Sequence, residues 1–120
     1  MKTRKSQSSL VLTFLRMLNV IKLFHWNTNH YAKHKATDDL HQKLSELIDS
    51  YVEKYSGEMG RIQVKGNASY KELSDDEFMK EIKGFSVFLT KLHSPSTDLD
   101  NIRDEMLGEV NQFLYLWTLK

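Results

Sequence analysis

Cysteine is absent from the 120-residue chain, and proline occurs once, at Pro95. Without thiols there can be no disulfide, no thiolate metal site and no cysteine nucleophile, so any metal must be held by nitrogen and oxygen. A single proline and five glycines leave few places where a helix must stop. Excess charge is also missing: the net charge is +1, so no strong overall field draws nucleic acid or an acidic membrane. Nor is there a long uncharged apolar run. The stretch from Leu10 to Trp26 is broken by Arg16, Asn19 and Lys22, so neither a membrane span nor a signal peptide is expected, and a cytoplasmic setting is. With 40% hydrophobic and 28% charged residues, the composition suits one globular domain spanning residues 1–120. Residues 1–8 form a basic tail with Lys2, Arg4 and Lys5. So few charges bind nucleic acid weakly unless many tails act together on one particle.

What the chain does have is helical periodicity. Ser8 and Ser9 are candidate N-caps for a first helix from about Leu10 to about His30. Its polar positions Thr13, Arg16, Asn19 and Lys22 fall three apart and wind around the helix, so no face stays wet throughout. A helix this apolar calls for cover on more than one side, and a subunit interface is expected. A second helix is expected from about Ala36 to Ser56, ended by Gly57, with Leu40, Leu44, Leu47, Ile48, Tyr51 and Tyr55 as its core stripe. Residues 57–73 hold three glycines and no sustained period, and read as a long connection. Ser74 and Glu77 form a capping box that opens a third helix. The turn HSPSTD leads to a fourth helix, with Leu99, Ile102, Met106, Val110, Phe113, Leu114 and Trp117 inward. The expected fold is therefore all-α: a four-helix bundle whose long middle link is able to cross the bundle, as in ferritin-like topology.

The segment HWNTNHYAKHKATDDLH, residues 25–41, gathers four of the five histidines. On a wheel at about 100° per residue with Asp38 at zero, His34 falls near −40°, Asp49 near +20° and Glu53 near +60°, while the apolar stripe centres near −130°. His34, Asp38, Asp49 and Glu53 thus form one stripe outside the core. Such a stripe is ordinarily a solvated face. Against that, His34 and Asp38 stand one turn apart, Asp49 and Glu53 repeat the relation, and His25 sits near the end of an apolar helix, where an imidazole needs a partner. Histidine with carboxylate suits ferrous iron, manganese or zinc, in a mononuclear or a bridged dinuclear site. His30 and His34, also one turn apart, are a weaker chelating pair. His41 and His93 read as packing and capping residues.

These residues resemble the Dps proteins (DNA-binding proteins from starved cells), which are small ferritin-like proteins that oxidise iron, usually with hydrogen peroxide. The resemblance rests on HWN at residues 25–27, on the histidine-to-acid spacing that follows, and more loosely on EVNQFLYLWTL near the C-terminus. It implies iron ligands at His25, His34, Asp38, Asp49 and Glu53, with Trp26 beside the site. It also implies that the histidines and Asp38 come from one subunit, and Asp49 and Glu53 from its two-fold mate, so the chain is expected to form a homo-oligomer, a dimer or larger. Iron and peroxide are then the substrates. The chain departs from the family in spacing its two histidines only nine residues apart, closer than is usual there, and in its short overall length. Short ferritin-like chains of this look also occur in large DNA viruses and phages, which would set the protein in a host cytoplasm or a virion. The competing expectation is a helical-bundle structural or interaction protein, virion-associated in that case, that keeps the fold without the chemistry.

Overall fold

The computed structural model describes residues 4–119, and of Arg4 and Lys5 only the backbone, so the charges of the basic tail lie outside the described residues. The fold is all-α: α1 (Arg4–Asn27), α2 (Tyr31–Met59), α3 (Asp75–Lys91) and α4 (Thr97–Trp117), with no strand among the described residues. At about 1.5 Å per residue, the length of α2 accounts for the longest dimension of the molecule, 44 Å.

Four boundaries differ from the sequence expectation. Ser8 and Ser9 do not cap α1 but lie inside it. The buried Ser8 hydroxyl turns outward, donating to the carbonyl of Gln63 at 3.4 Å and accepting from the amide of Lys65 at 3.3 Å. It serves a distant segment rather than its own helix end. The first helix stops at Asn27 instead of His30, and α2 begins at Tyr31 instead of Ala36, with His30 as its N-cap residue. Gly57 does not end α2. The helix runs through it to Met59, and the chain turns at Gly60, whose φ of 100° is open to glycine and costly for other residues. The amide of Gly60 still reaches the carbonyl of Ser56, at 2.9 Å.

The capping box opening α3 forms as expected. Ser74 accepts from the amide of Glu77 at 3.2 Å, and the Glu77 carboxylate accepts from the amide of Ser74 at 3.0 Å. These bonds hold the Glu77 carboxyl below the usual range. In α4 the Ser96 hydroxyl accepts from the amide of Leu99, at 3.3 Å.

One hydrophobic cluster draws on all four helices. Phe14, Ile21, Leu44, Tyr51, Phe78, Leu89, Leu99 and Met106 lie at its centre. Phe24 stacks on Phe78 with centroids 4.1 Å apart, and Trp117 tilts against both. The α2–α4 and α1–α2 contacts are extensive, and the α1–α3 contact is the sparsest of the four. Arg16 spans it, with a bidentate pair to Glu81 at 2.6 and 2.8 Å. Residues 60–74 carry no helix or strand and lie along α1, where Gly66, with a φ of 117°, approaches so closely that an added Cβ would stand 3.1 Å from Leu12 Cδ1. Lys33 near the start of α2 pairs with Asp75 at the start of α3. Near the end of α2, Glu58 accepts from Ser96, at 2.9 Å.

Candidate metal centre

His25 is the last basic residue of α1, and His34 lies in the first turn of α2. Only residues 28–30 separate the two helices, so the imidazoles meet across a tight corner. Their rings stack with centroids 3.9 Å apart and planes at 19°. The bonding is reciprocal. His25 Nδ1 lies 2.8 Å from the carbonyl oxygen of His34, and His34 Nδ1 lies 3.0 Å from the carbonyl oxygen of His25. A carbonyl only accepts, so each Nδ1 carries the proton and donates it. In a neutral ring held this way Nε2 carries the lone pair, the form in which histidine ligates a metal.

Around this pair the polar groups are ordered. Thr37, fully buried, lies 3.3 Å from His25 Nδ1 and donates toward the carbonyls of Lys33 and His34, at 2.8 and 3.1 Å. The sequence reading passed over Thr37. Its signal was a polar residue three positions before Leu40, on the buried stripe of α2. His25 Nε2 faces Asp38 Oδ1 at 4.0 Å. That gap is too long for a hydrogen bond and is wide enough for a cation held at about 2.1 Å by each atom. His25 is buried, whereas Trp26 beside it is 68% exposed, with Lys22 over its ring at 5.6 Å. Half-buried His41 has its pKa lowered, first by burial and then by the charge of Lys22.

Further along α2, Asp49 and Glu53 are exposed one turn apart, on the same stripe as Asp38, as the wheel placed them. Hydrogen bonding with Asp49, and the charge of that neighbour, hold the Glu53 carboxyl above the usual range. Two acids that share a proton in this way relieve their repulsion by taking up a cation.

The two halves do not meet within one chain. Eleven residues of helix separate Asp38 from Asp49, about 16 Å along the axis. No group of three His, Asp or Glu side chains suited to a metal forms among the described residues. Nor do the stacked rings converge. Imidazole binds a metal in its own plane, and near-parallel planes 3.9 Å apart share no point close to both Nε2 atoms. In this arrangement one ion cannot take both His25 Nε2 and His34 Nε2. His30, at the N-cap of α2, is exposed and bonds through its backbone.

Alongside Asp49 runs a groove of about 400 Å³ between α1 and α2, lined by Val11, Leu15, Leu18, Ile48 and Val52. Leu15 is 42% exposed there.

Comparison with known proteins adds a lineage. Over 98 residues the chain is 30% identical to the uncharacterized 14.6 kDa protein in the mobD-ri intergenic region of Enterobacteria phage T4, which covers 80% of this chain and 75% of that protein. No solved structure matches. Residues 25–117 match a family of unknown function, DUF5856, a span that contains both histidines and all three acids, and the chain belongs to that family.

Proposed function

We propose that the protein is a ferritin-like, Dps-like iron-oxidising protein whose site is completed between two copies. His25, His34 and Asp38 of one copy face Asp49 and Glu53 of the other. Ferrous iron is the substrate and peroxide the oxidant: each iron gives up one electron, and peroxide takes two electrons and two protons to become water. The observation that carries this reading is His25, whose Nδ1 is held by the carbonyl of His34 and whose Nε2 faces Asp38 across 4.0 Å. The apolar groove next to Asp49 supplies a surface for the second copy. The ferritin-like topology requires residues 60–74 to cross the bundle, so that α3 runs parallel to α2. The pairings of Ser8 with Gln63 and Lys65, of Lys33 with Asp75, and of Ser96 with Glu58 support that course.

In this reading the acids bind and neutralise the cation, and the raised pKa of Glu53 makes uptake release a proton. That release occurs only in the acid range where the Glu53 carboxyl is still protonated, and metal binding accordingly weakens as pH falls through the carboxylate range. The test is an anaerobic ferrous titration followed by addition of peroxide. The parent binds iron at neutral pH and oxidises it, and Glu53→Ala abolishes the oxidation. Equal oxidation rates for parent and variant would overturn the site.

A second reading keeps the bundle without the chemistry, as a structural or interaction protein, virion-associated if the lineage extends to that role. The observation favouring it is that one chain brings no three ligands together among the described residues. A parent that dimerises but binds no ferrous iron establishes this reading instead.

A further inference from the structure

On the side of α1 away from Leu15, a trough runs between α1, α3 and residues 60–74. Its first reach, about 760 Å³, is walled by Ser9, Leu12 and Thr13 of α1 and by Lys65 and Asn67 of the connection. The second reach, about 740 Å³, is walled by Met17, Phe85 and Phe88, with Lys71 and Lys80 at its edge. Both are bounded by Thr13 and Arg16, so they meet at the Arg16–Glu81 bridge. Each is the size of a small-ligand site. The floor is apolar, with Phe85 and Phe88 stacked at 5.8 Å between centroids.

Two features of the trough bear on what it could hold. The first is its cations. Lys65 forms no ion pair among the described residues, Lys71 and Lys80 share the second reach with Glu77, whose carboxyl their charges help to hold down, and Arg16 is satisfied by Glu81. The second is Gly84. It sits in the interior of α3, exposed, and lines the second reach. Glycine is a poor helix residue, and a Cβ added at Gly84 would meet nothing within 4 Å. The same open space stands over Gly57 and Gly108, but at Gly84 it lies within the trough and leaves room for a molecule against the backbone.

We propose that this trough binds a free, single-chain anionic amphiphile, of the class of long-chain carboxylates. Its carboxylate pairs with Lys65, with the Ser9 hydroxyl and Asn67 amide as further donors. Its chain passes over Leu12 and lies along Met17, Phe85 and Phe88, close to the backbone at Gly84. Lys71 and Lys80 cover the chain with their methylenes and keep their ammonium groups in water. The site shares no residue with the histidine–carboxylate stripe, so it stands or falls apart from the iron reading.

The probe is decanoate, below its micelle concentration, measured by calorimetry on the full chain. Decyl maltoside and decyltrimethylammonium serve as neutral and cationic controls, and vesicles of anionic phospholipid as the membrane control. Decanoate should bind once per chain, at least about tenfold more tightly than either control, because only it forms charge-assisted hydrogen bonds. Lys65→Glu, on the exposed connection, should weaken decanoate by about tenfold and leave decyl maltoside unchanged. Gly84→Leu should weaken both by about tenfold by filling the trough, while the thermal midpoint of the free protein holds or rises, since leucine favours helix. Absence of decanoate binding overturns the proposal. So does equal affinity for a control, indifference to Lys65→Glu, or binding to anionic vesicles without binding to free decanoate.

Discussion

The corner between α1 and α2 and the seam between α1 and α3 handle polar groups in opposite ways. At the corner the Nδ1 atoms of His25 and His34 are each satisfied by the other residue's backbone carbonyl, and buried Thr37 ties the same turn together. Along the seam the helices stand apart, with one bidentate ion pair between them and three lysines facing outward from an apolar trough. The corner is rigid and presents lone pairs. The seam is open and presents cations over carbon. The first suits chemistry that needs fixed ligands, and the second suits the proposed recognition of a charged apolar molecule.

The sharpest way to break the comparison is at the α1–α2 groove, which should matter to the corner and not to the seam. Leu15→Glu places a charge on the exposed apolar strip beside Asp49. It should leave the protein folded but monomeric by light scattering, and iron oxidation should be lost entirely, because neither half-site is complete alone. A monomeric variant that still oxidises iron at the parent rate would show that one chain suffices.

Next in size is His25→Ala. The ring is buried, stacked on His34 and hydrogen-bonded, so its removal combines a cavity with lost bonds and should cost about 2–4 kcal/mol in chemical denaturation. Thr37→Val keeps the volume and the stack while removing one hydroxyl, and should cost about 1 kcal/mol. If the two variants are equally destabilised, the imidazole stack contributes little and the corner is held by Thr37.

The smallest effect lies in the seam. The Arg16 guanidinium holds the Glu81 carboxyl below its usual range and is itself held up by Glu81. A carboxyl with a depressed folded pKa contributes stability above its unfolded value, near 4.5, and that contribution is lost as pH falls through the folded value. Both side chains are about a third exposed, so solvent screens the pair, and Glu81→Gln should cost no more than about 1 kcal/mol at neutral pH. The difference between parent and variant should disappear in acid below the carboxylate range. Glu53 has the reverse sign. Its raised pKa means that the folded state loses stability as pH rises through the carboxylate range, so Glu53→Gln should raise the midpoint of the metal-free protein at neutral pH.

Much of the fold was legible in the residues. The apolar spacing of α2 named Leu40, Leu44, Ile48, Tyr51 and Tyr55, all buried, together with Leu47, which is only partly buried, and it left out buried Thr37; burial of a stripe follows from 3.6-residue periodicity. Ser74 with Glu77 located the start of α3, since a capping box is a contact between near neighbours. The exposure of Asp49 and Glu53 followed from the same wheel. The misread points involve distant partners. Ser8 has the chemistry of an N-cap, but the segment at residues 63–65 uses its hydroxyl. Gly57 and Gly60 are equally able to end a helix, and only the path of the following chain selects Gly60.

The residues by themselves determined an all-helical chain, the inward face of α2, and an acidic stripe outside the core that begins at His34. Each depends on interactions within a few residues along one helix. Tertiary structure alone decided that His25 and His34 lock each other through their Nδ1 atoms, that Asp38 faces His25 across 4.0 Å, and that α1 and α3 part to leave a trough. Those arrangements depend on where one helix meets another, and the direction of a lone pair or the width of a seam is set by packing between elements that no periodicity within either one encodes.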